Sequence, residues 1–225
     1  MVKIFMKYGG FLLNGVGNTL IIALFTVLFG TVLGTLLAIM KMGRFTPTRW
    51  FACAYIEFIR GTPLMVQLMF IFYGLPMIGI EFPDISFIPN FSRFLAGIVA
   101  MSLNSGAYVA EIIRSGIQAV DVGQTEAARS LGFKHSETLR LVVLPQAIKN
   151  ILPALGNEFV TVIKESSIVS IIGISDLMYQ ANGIMAGTFI YLETLALTAV
   201  IYFIMTFTTS RLISLAERKM SNGKK

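Results

Sequence analysis

Charged residues are scarce in this chain. They make up 13% of its 225 residues, against roughly 25% in an ordinary soluble domain, and 55% of the residues are hydrophobic. The mean hydropathy is +0.75. Residues 8–40 carry no charge at all, and a helix needs about 20 mostly apolar residues to cross a lipid bilayer. The scarcity of charge excludes an ordinary soluble domain and predicts an integral membrane protein.

Cysteine and histidine are also nearly absent. Cys53 is the single cysteine, which excludes a disulfide framework, and His135 is the single histidine. One cysteine and one distant histidine do not make a metal site. No histidine-based or paired-carboxylate constellation stands out either. The sequence therefore predicts no metal site and no catalytic residue.

A phosphate-binding loop is missing as well. No Gly-x-x-x-x-Gly-Lys-Ser/Thr segment, which would cradle the phosphates of ATP, occurs in the sequence. The chain cannot itself use ATP in the usual way, so we expect no cofactor bound to it. Any energy that it uses must come from an associated ATPase or from an ion gradient.

Long apolar runs predict five membrane-spanning helices in one transmembrane domain that covers residues 1–225. The first run follows Lys3 and Lys7, as in a secretory signal, but it is far longer than the roughly 7 to 15 apolar residues of a cleaved signal. We therefore expect it to remain in the mature chain. The predicted spans are residues 14–40, 51–75, 93–113, 147–166 and 189–211.

Lysine and arginine are distributed unevenly between the connections. Because the cytoplasmic side carries the excess of these residues, the N-terminus is predicted outside, the C-terminus in the cytoplasm, and residues 118–140 as a cytoplasmic loop. The net charge of +6 then reflects contact with anionic lipid headgroups and not nucleic acid. Thirteen of the 18 basic residues fall on the inner side: Lys41, Arg44, Arg49, Arg114, Arg129, Lys134, Arg140, Lys149, Arg211, Arg218, Lys219, Lys224 and Lys225.

The polar loop has helix signals of its own. Asp121 is a candidate cap for a short helix, and Gln124, three residues later, completes the pattern of a capping box. Gly132 suits the left-handed position just past the end of that helix. A second helix is predicted from Ser136, with Glu137 in its first turn, and continues into the apolar sequence. The loop is therefore predicted to be a helix, a sharp turn and a returning helix.

This loop resembles the EAA loop of ATP-binding cassette importer permeases. The similarity lies in Glu126, Ala127 and Ala128, then Gly132, then residues 142–145, where the family prefers isoleucine at position 142 and this chain has valine. The blocks 57–76, 103–117, 144–160 and 164–177 are similar to the polar amino-acid uptake branch, the glutamine, histidine and arginine type. The resemblance covers roughly residues 10 to 215.

The resemblance implies an all-α transmembrane fold, a five-helix type I importer permease whose cytoplasmic loop is a coupling helix. In such permeases the coupling helix inserts into a cleft of the ATPase, so Glu126, Ala127, Ala128, Leu131 and Gly132 are expected to couple the two. Gly132 is expected to be a pivot because a side chain there would clash with the turn or the partner. The small alanines allow close approach, and Glu126 can pair with basic groups.

The resemblance also implies an assembly in the bacterial cytoplasmic (inner) membrane. We expect ATP-binding cassette ATPase subunits that bind ATP and magnesium, and a second permease chain that is either identical or paralogous. An extracytoplasmic amino-acid-binding protein delivers the substrate. Together these partners would make an importer of polar amino acids, of which arginine, histidine, lysine and glutamine stay open.

Glu158 is the candidate substrate residue. It falls about 15 Å into the fourth predicted span, near the middle of the bilayer, where a charge is costly and alternating-access transporters hold their substrates. Asn157, Thr161, Asn104 and Tyr108 are the expected hydrogen-bonding partners of the substrate. The alternative is that Glu158 pairs with a lysine or arginine of another helix.

Other polar and glycine positions predict structure. Glu57 and Arg60 are three residues apart and are expected to pair on one helix face, as are Glu111 and Arg114. Pro63 is expected to kink or restart its helix. Two further features follow from the pattern: close helix packing at Gly30 and Gly34, and a short helix within residues 167–188.

Two other functions remain open at this point. An ion-coupled secondary transporter or channel would also need buried charges, but it gives no reason for the shape of the polar loop. An intramembrane enzyme, such as a protease or acyltransferase, has little support without a catalytic constellation. A P-loop ATPase gene beside this one would favour the importer.

Overall fold

The computed structural model describes residues 1–85 and 90–222, with side chains described as far as Lys219. Residues 86–89 of the predicted outer connection, and Lys224 and Lys225, lie outside this part. Within it the regular elements are helices: α1 (Val2–Met42), α2 (Thr46–Gly61), α3 (Leu64–Met69), a π-helical turn (Phe70–Gly74), α4 (Leu75–Met77), α5 (Phe91–Gln118), α6 (Val122–Ser130), α7 (His135–Thr138), a second π-helical turn (Leu139–Val143), α8 (Leu144–Glu165), a 3₁₀ helix (Ser166–Ile172), α9 (Leu177–Thr188) and α10 (Tyr191–Asn222).

Three helices in the described part of the chain are both long and apolar enough to cross a membrane: α1, α5 and α10. α1 and α5 contain the predicted spans 14–40 and 93–113, and α10 covers the predicted span 189–211 from residue 191 onward. α1 has 41 residues, or about 60 Å of helix, so it extends well beyond the roughly 30 Å of hydrocarbon. The apolar run therefore located this helix but not its N-terminal extension.

The second predicted span, 51–75, is not one straight helix. Thr46–Gly61 and Leu64–Met77 are bent by 106° relative to each other. Thr62 between them is extended, with φ −116° and ψ 145°, as expected for a residue before proline. Pro63 has no N–H to continue the ladder, so the helix stops and restarts there. The predicted break at Pro63 is confirmed.

The fourth predicted span, 147–166, corresponds to α8. This helix has 22 residues and is long enough to cross a bilayer, but it is not among the strongly apolar helices. Lys149, Asn157 and Glu158 lower its hydropathy. α8 packs against α5 and α10, and of these three polar residues only Glu158 is partly buried in the bundle.

α1 and α5 form the centre of the bundle and pack closely at two glycines of α1. A Cβ atom added at Gly30 would lie 3.0 Å from the side chain of Ser105, and one added at Gly34 would lie 2.6 Å from Cβ of Val109. This confirms the predicted close helix crossing. The main core surrounds it, with Leu12, Ile22, Leu68, Met101, Ile163, Ile174 and Leu177 among its fully buried side chains.

The connection between α8 and α10 folds back onto α1. Asn18 donates a side-chain hydrogen bond to the carbonyl of Ser175, at 2.7 Å. Asp176 caps α9 by accepting from the backbone N–H groups of Met178 and Tyr179. The short helix predicted within 167–188 is confirmed as α9, preceded by a 3₁₀ helix.

Glu111 is the centre of an ion-pair cluster on α1, α2 and α5. Lys41 lies 2.5 Å from its Oε1, and Arg114 lies 2.8 Å from its Oε2, so the predicted Glu111–Arg114 pair is confirmed. Arg60 also points to Glu111, at 4.0 Å, and not to Glu57. The predicted Glu57–Arg60 pair is therefore wrong, because α5 offers Arg60 a less exposed carboxylate and the ring of Tyr108.

Candidate functional site

Glu158 lies in the middle of α8, opposite Ser105 of α5. The hydroxyl of Ser105 donates to Oε1 of Glu158 at 2.8 Å. No lysine or arginine in residues 1–85 or 90–219 lies within salt-bridge distance of this carboxylate. The alternative in which Glu158 pairs with a base of another helix therefore has no support in the described residues.

A broad cleft of about 580 Å³ opens at the next turn of α8. Its walls come from the start of α3 and from the end of α8 with the 3₁₀ helix. Thr161, one of the predicted substrate residues, lines it. The other lining residues are Pro63, Leu64, Met65, Lys164, Glu165, Ser167 and Ile168.

Glu158, Thr161 and Glu165 follow the spacing of one helix face, at positions i, i+3 and i+7. Two of the three, Thr161 and Glu165, line the cleft, and Glu158 is one turn further along the same face. α8 therefore presents two carboxylates and a hydroxyl in one row. Such a row can bind a positively charged group.

The other predicted substrate residues are in different surroundings. Asn157 is exposed on α8. Asn104 is buried, and its amide donates to Oε1 of Gln67 at 3.1 Å. Tyr108 is partly exposed, and the guanidinium carbon of Arg60 lies 5.5 Å from the centre of its ring. The structure thus brings Glu158 and Thr161 to one helix face and gives Asn104 a protein partner.

Three residues near the site were missed from the sequence. Ser105 is the partner of Glu158, and its signal was its position three residues before Tyr108, on the same face of the helix. The signal for Glu165 was its seven-residue spacing from Glu158, which places both on one helix face. Gln67 had no signal in the sequence, because its role depends on the broken helix.

The polar segment between α5 and α8 folds as predicted at most of its signals. Asp121 caps α6 by accepting from the N–H of Gly123 at 2.8 Å. The capping box is wrong, because the side chain of Gln124 accepts a hydrogen bond from Gln146 instead. The returning helix begins at His135, one residue before the predicted Ser136.

Gly132 ends α6 in the left-handed conformation, with φ +90°. The N–H of Gly132 bonds to the carbonyl of Arg129, and that of Phe133 to the carbonyl of Ala128, which together form a Schellman motif. A Cβ at position 132 would meet no atom within 4 Å. The expected clash with the turn is therefore wrong, and glycine is favoured here by its φ angle.

The predicted coupling residues divide between two sides of this segment. Glu126 and Ala127 are exposed, and Leu131 is 81% exposed. Ala128 is only 4% exposed and packs toward the rest of the chain. The exposed members therefore form a small surface that projects from the bundle.

Solved structures define the class of this fold. The chain aligns with the structure described as "Crystal structure of an amino acid ABC transporter with histidines" at a TM-score of 0.88 and 50% identity, over 96% of both chains. It aligns with an inward-facing MetNI methionine ABC transporter at a TM-score of 0.72 and 19% identity, over 98% of this chain and 99% of the other. The fold is that of a type I importer membrane subunit, all-α and transmembrane.

Sequence comparisons give the family. Residues 30–222 match the family described as "Binding-protein-dependent transport system inner membrane component", and the chain belongs to it. It is 41% identical to the arginine transport system permease protein ArtQ of Bacillus subtilis (strain 168), over 95% of this chain and 94% of that protein. It is 43% identical to the putative glutamine transport system permease protein GlnP of Rickettsia conorii, over 93% of both.

Proposed function

We propose that this chain is the permease subunit of an ATP-driven importer of polar amino acids. The observation that carries this proposal concerns the Glu158 carboxylate in a bundle of this family. It has no cationic partner among the described residues, and it lies one helical turn from Thr161, which lines an open cleft. An ion-coupled transporter or channel and an intramembrane enzyme do not account for the family match. Polar amino acids are the substrates named for several relatives, which supports the same class here.

The substrate that suits this cleft has a positive charge. Glu158 and Glu165 on one face of α8 favour an ammonium or guanidinium group, and Lys164 at the rim is the one basic side chain among the residues that line the cleft. Thr161 and Asn157 offer hydrogen bonds on α8, and Asn104 and Tyr108 offer them on α5. We therefore favour a cationic amino acid over a neutral one.

ATP hydrolysis belongs to separate subunits in this proposal. The chain has no phosphate-binding loop, so ATP and magnesium bind to ATP-binding cassette ATPase subunits. The exposed surface of Glu126, Ala127 and Leu131, with the rigid turn at Gly132, is the part that enters the ATPase. Ala128 anchors that surface to the chain from behind. A second permease chain, identical or paralogous, and an extracytoplasmic binding protein complete the importer.

The membrane arrangement follows from the helices and the basic residues. We place five crossings in one domain, with the bent α2 to α4 segment and α8 completing the set that α1, α5 and α10 begin. The N-terminus lies outside and the C-terminus in the cytoplasm. α6 and its turn then lie on the cytoplasmic side, where ATP is available.

Replacing Glu158 by glutamine tests the substrate site. Glutamine keeps an oxygen that can accept from Ser105, so the bundle keeps its contact and loses only the charge. Affinity of the purified permease and ATPase complex for arginine should fall by about 10-fold or more. Asn157→Gln changes a predicted hydrogen-bonding residue without changing any charge, so comparing it with Glu158→Gln separates the loss of a charge from a change in hydrogen bonding. Unchanged arginine affinity in Glu158→Gln would remove this residue from the site.

A further inference from the structure

Arg60 has a positive charge that its surroundings leave largely uncompensated. Three cations, Lys41, Arg60 and Arg114, share the single carboxylate of Glu111. Lys41 occupies one carboxylate oxygen, and Nε and Nη2 of Arg114 occupy the other. Arg60 stays at 4.0 Å, beyond hydrogen-bond distance. The cluster therefore has a surplus of two positive charges.

The guanidinium of Arg60 is still free to bind an anion. Among the described residues it donates no hydrogen bond, and its side chain is 40% exposed. Its carbon lies 5.5 Å from the centre of the Tyr108 ring, which holds the planar group by a cation–π contact and leaves its N–H groups unused. A held guanidinium with free donors is the arrangement that binds a carboxylate in a bidentate manner.

Arg60 is held about one helical turn of α5 away from the acidic site. Tyr108 is three residues from Ser105 on α5, one helical turn along the same face, and Ser105 contacts Glu158. Tyr108 itself is 38% exposed, so the ring and the guanidinium border open space. Arg60 also lies three residues before Pro63, at the end of α2, and Pro63 lines the cleft. The positive group of Arg60 and the negative group of Glu158 therefore contact neighbouring turns of α5.

An amino acid carries both a positive and a negative group, so its site needs a partner for each. Glu158 and Glu165 suit the positive group. From the surplus charge and the free donors, we infer that Arg60 binds the carboxylate of the transported amino acid. This inference rests on the proposed function. Lys164 is the competing cation, since it lines the cleft, but it is adjacent to Glu165 and offers a point charge in place of a planar fork.

The test compares an amino acid with the amine that lacks its carboxylate. Binding of arginine and of agmatine is measured on the purified permease and ATPase complex without the binding protein, for the native chain and for Arg60→Gln. Arg60→Gln should weaken arginine binding roughly 10- to 100-fold and leave agmatine binding unchanged. Arg60→Lys should recover part of the lost affinity. Unchanged agmatine binding also shows that the variant is folded.

Several outcomes would overturn the inference. One is that Arg60→Gln weakens the binding of arginine and of agmatine equally. Another is that Lys164→Gln, but not Arg60→Gln, abolishes the preference for arginine over agmatine. Lys149→Gln, an exposed change at the other end of α8, is the matched control. If Glu158→Gln weakens binding of both compounds while Arg60→Gln changes neither, the proposed function stands and the inference fails. If the native complex binds neither compound, both fail.

Discussion

Gln67 and Asn104 join the broken second segment to α5. Nδ2 of Asn104 donates to Oε1 of Gln67 at 3.1 Å, and Nε2 of Gln67 donates to the carbonyl of Ile59 at 2.8 Å. The same amide group reaches Oγ1 of Thr62 at 2.9 Å. Because Pro63 ends the backbone ladder, the last carbonyls of α2 need donors from elsewhere. The side chain of Gln67 supplies them inside the bundle.

Gln67→Leu should therefore destabilise the protein. It removes the side-chain donor of the Thr62 carbonyl and the shortest hydrogen bond to the Ile59 carbonyl, which costs roughly 1–3 kcal/mol. Asn104→Ala should have a smaller effect in the same direction. The thermal midpoint of the purified transporter measures both, with Asn157→Ala, an exposed amide, as control. A change in substrate affinity of Asn104→Ala with no change in thermal midpoint would instead favour the predicted role of Asn104 as a substrate ligand.

Gly34→Ala should weaken the packing of α1 on α5. The added methyl group would lie 2.6 Å from the side chain of Val109 and 2.8 Å from the backbone oxygen of Gly106, and the backbone cannot rotate away. Overpacking of this kind costs about 1–3 kcal/mol. Gly17→Ala on the same helix is the matched control, because its Cβ would meet no atom within 4 Å. Equal thermal midpoints for the two variants would contradict the close crossing.

Gly132→Ala should impair coupling through backbone strain. An L-residue at φ +90° is strained by about 1–2 kcal/mol, although open space surrounds the position. Gly132→Asn should be milder, since asparagine tolerates the left-handed region better. ATP hydrolysis stimulated by substrate is the measurement, and Gly183→Ala, a helical glycine in open space, is the control. If asparagine and alanine uncouple hydrolysis equally, strain at Gly132 is not the cause.

Asp176 should make stability depend on pH. Burial raises the pKa of Asp176 from 3.8 to about 6, although two backbone N–H groups and the hydroxyl of Tyr202 oppose this rise. Three polar residues lie near the Asp176 carboxylate: Tyr202 on α10, Thr19 on α1 and Tyr179 on α9. Because the folded chain holds the proton more strongly than the unfolded chain, stability should decrease as pH rises from about 4 to 6.

Asp176→Asn separates this effect from other titrations. Asparagine keeps one oxygen that can accept from the N–H of Tyr179, loses the acceptor for the N–H of Met178, and does not titrate. The thermal midpoint of the variant should vary less between pH 4 and 6, with a difference of about 1.4 kcal/mol in unfolding free energy for each unit of pKa shift. Parallel pH profiles for the two proteins would show that Asp176 does not titrate in this range.

Local signals in the sequence were enough for the helices and for the turn of the polar segment. Long charge-free runs can only be satisfied by helices in lipid, so α1, α5 and α10 followed from composition. Pro63 and Gly132 act on their own backbone and on one neighbour, which is why the break and the left-handed turn were predictable. The EAA pattern and the blocks that flank it were sufficient to indicate the family.

Pairings between helices depended on the tertiary structure. Glu57 was the nearest carboxylate to Arg60 along the chain, but Glu111 and the ring of Tyr108 are its neighbours in space. Similarly, Gln124 accepts a hydrogen bond from Gln146 and does not cap its own helix. Ser105 on α5 donates a hydrogen bond to Glu158 on α8. A sequence gives the spacing of residues along one helix, which determines its faces. Which face meets which is decided only when the helices pack, because the contact energies compete across the whole bundle.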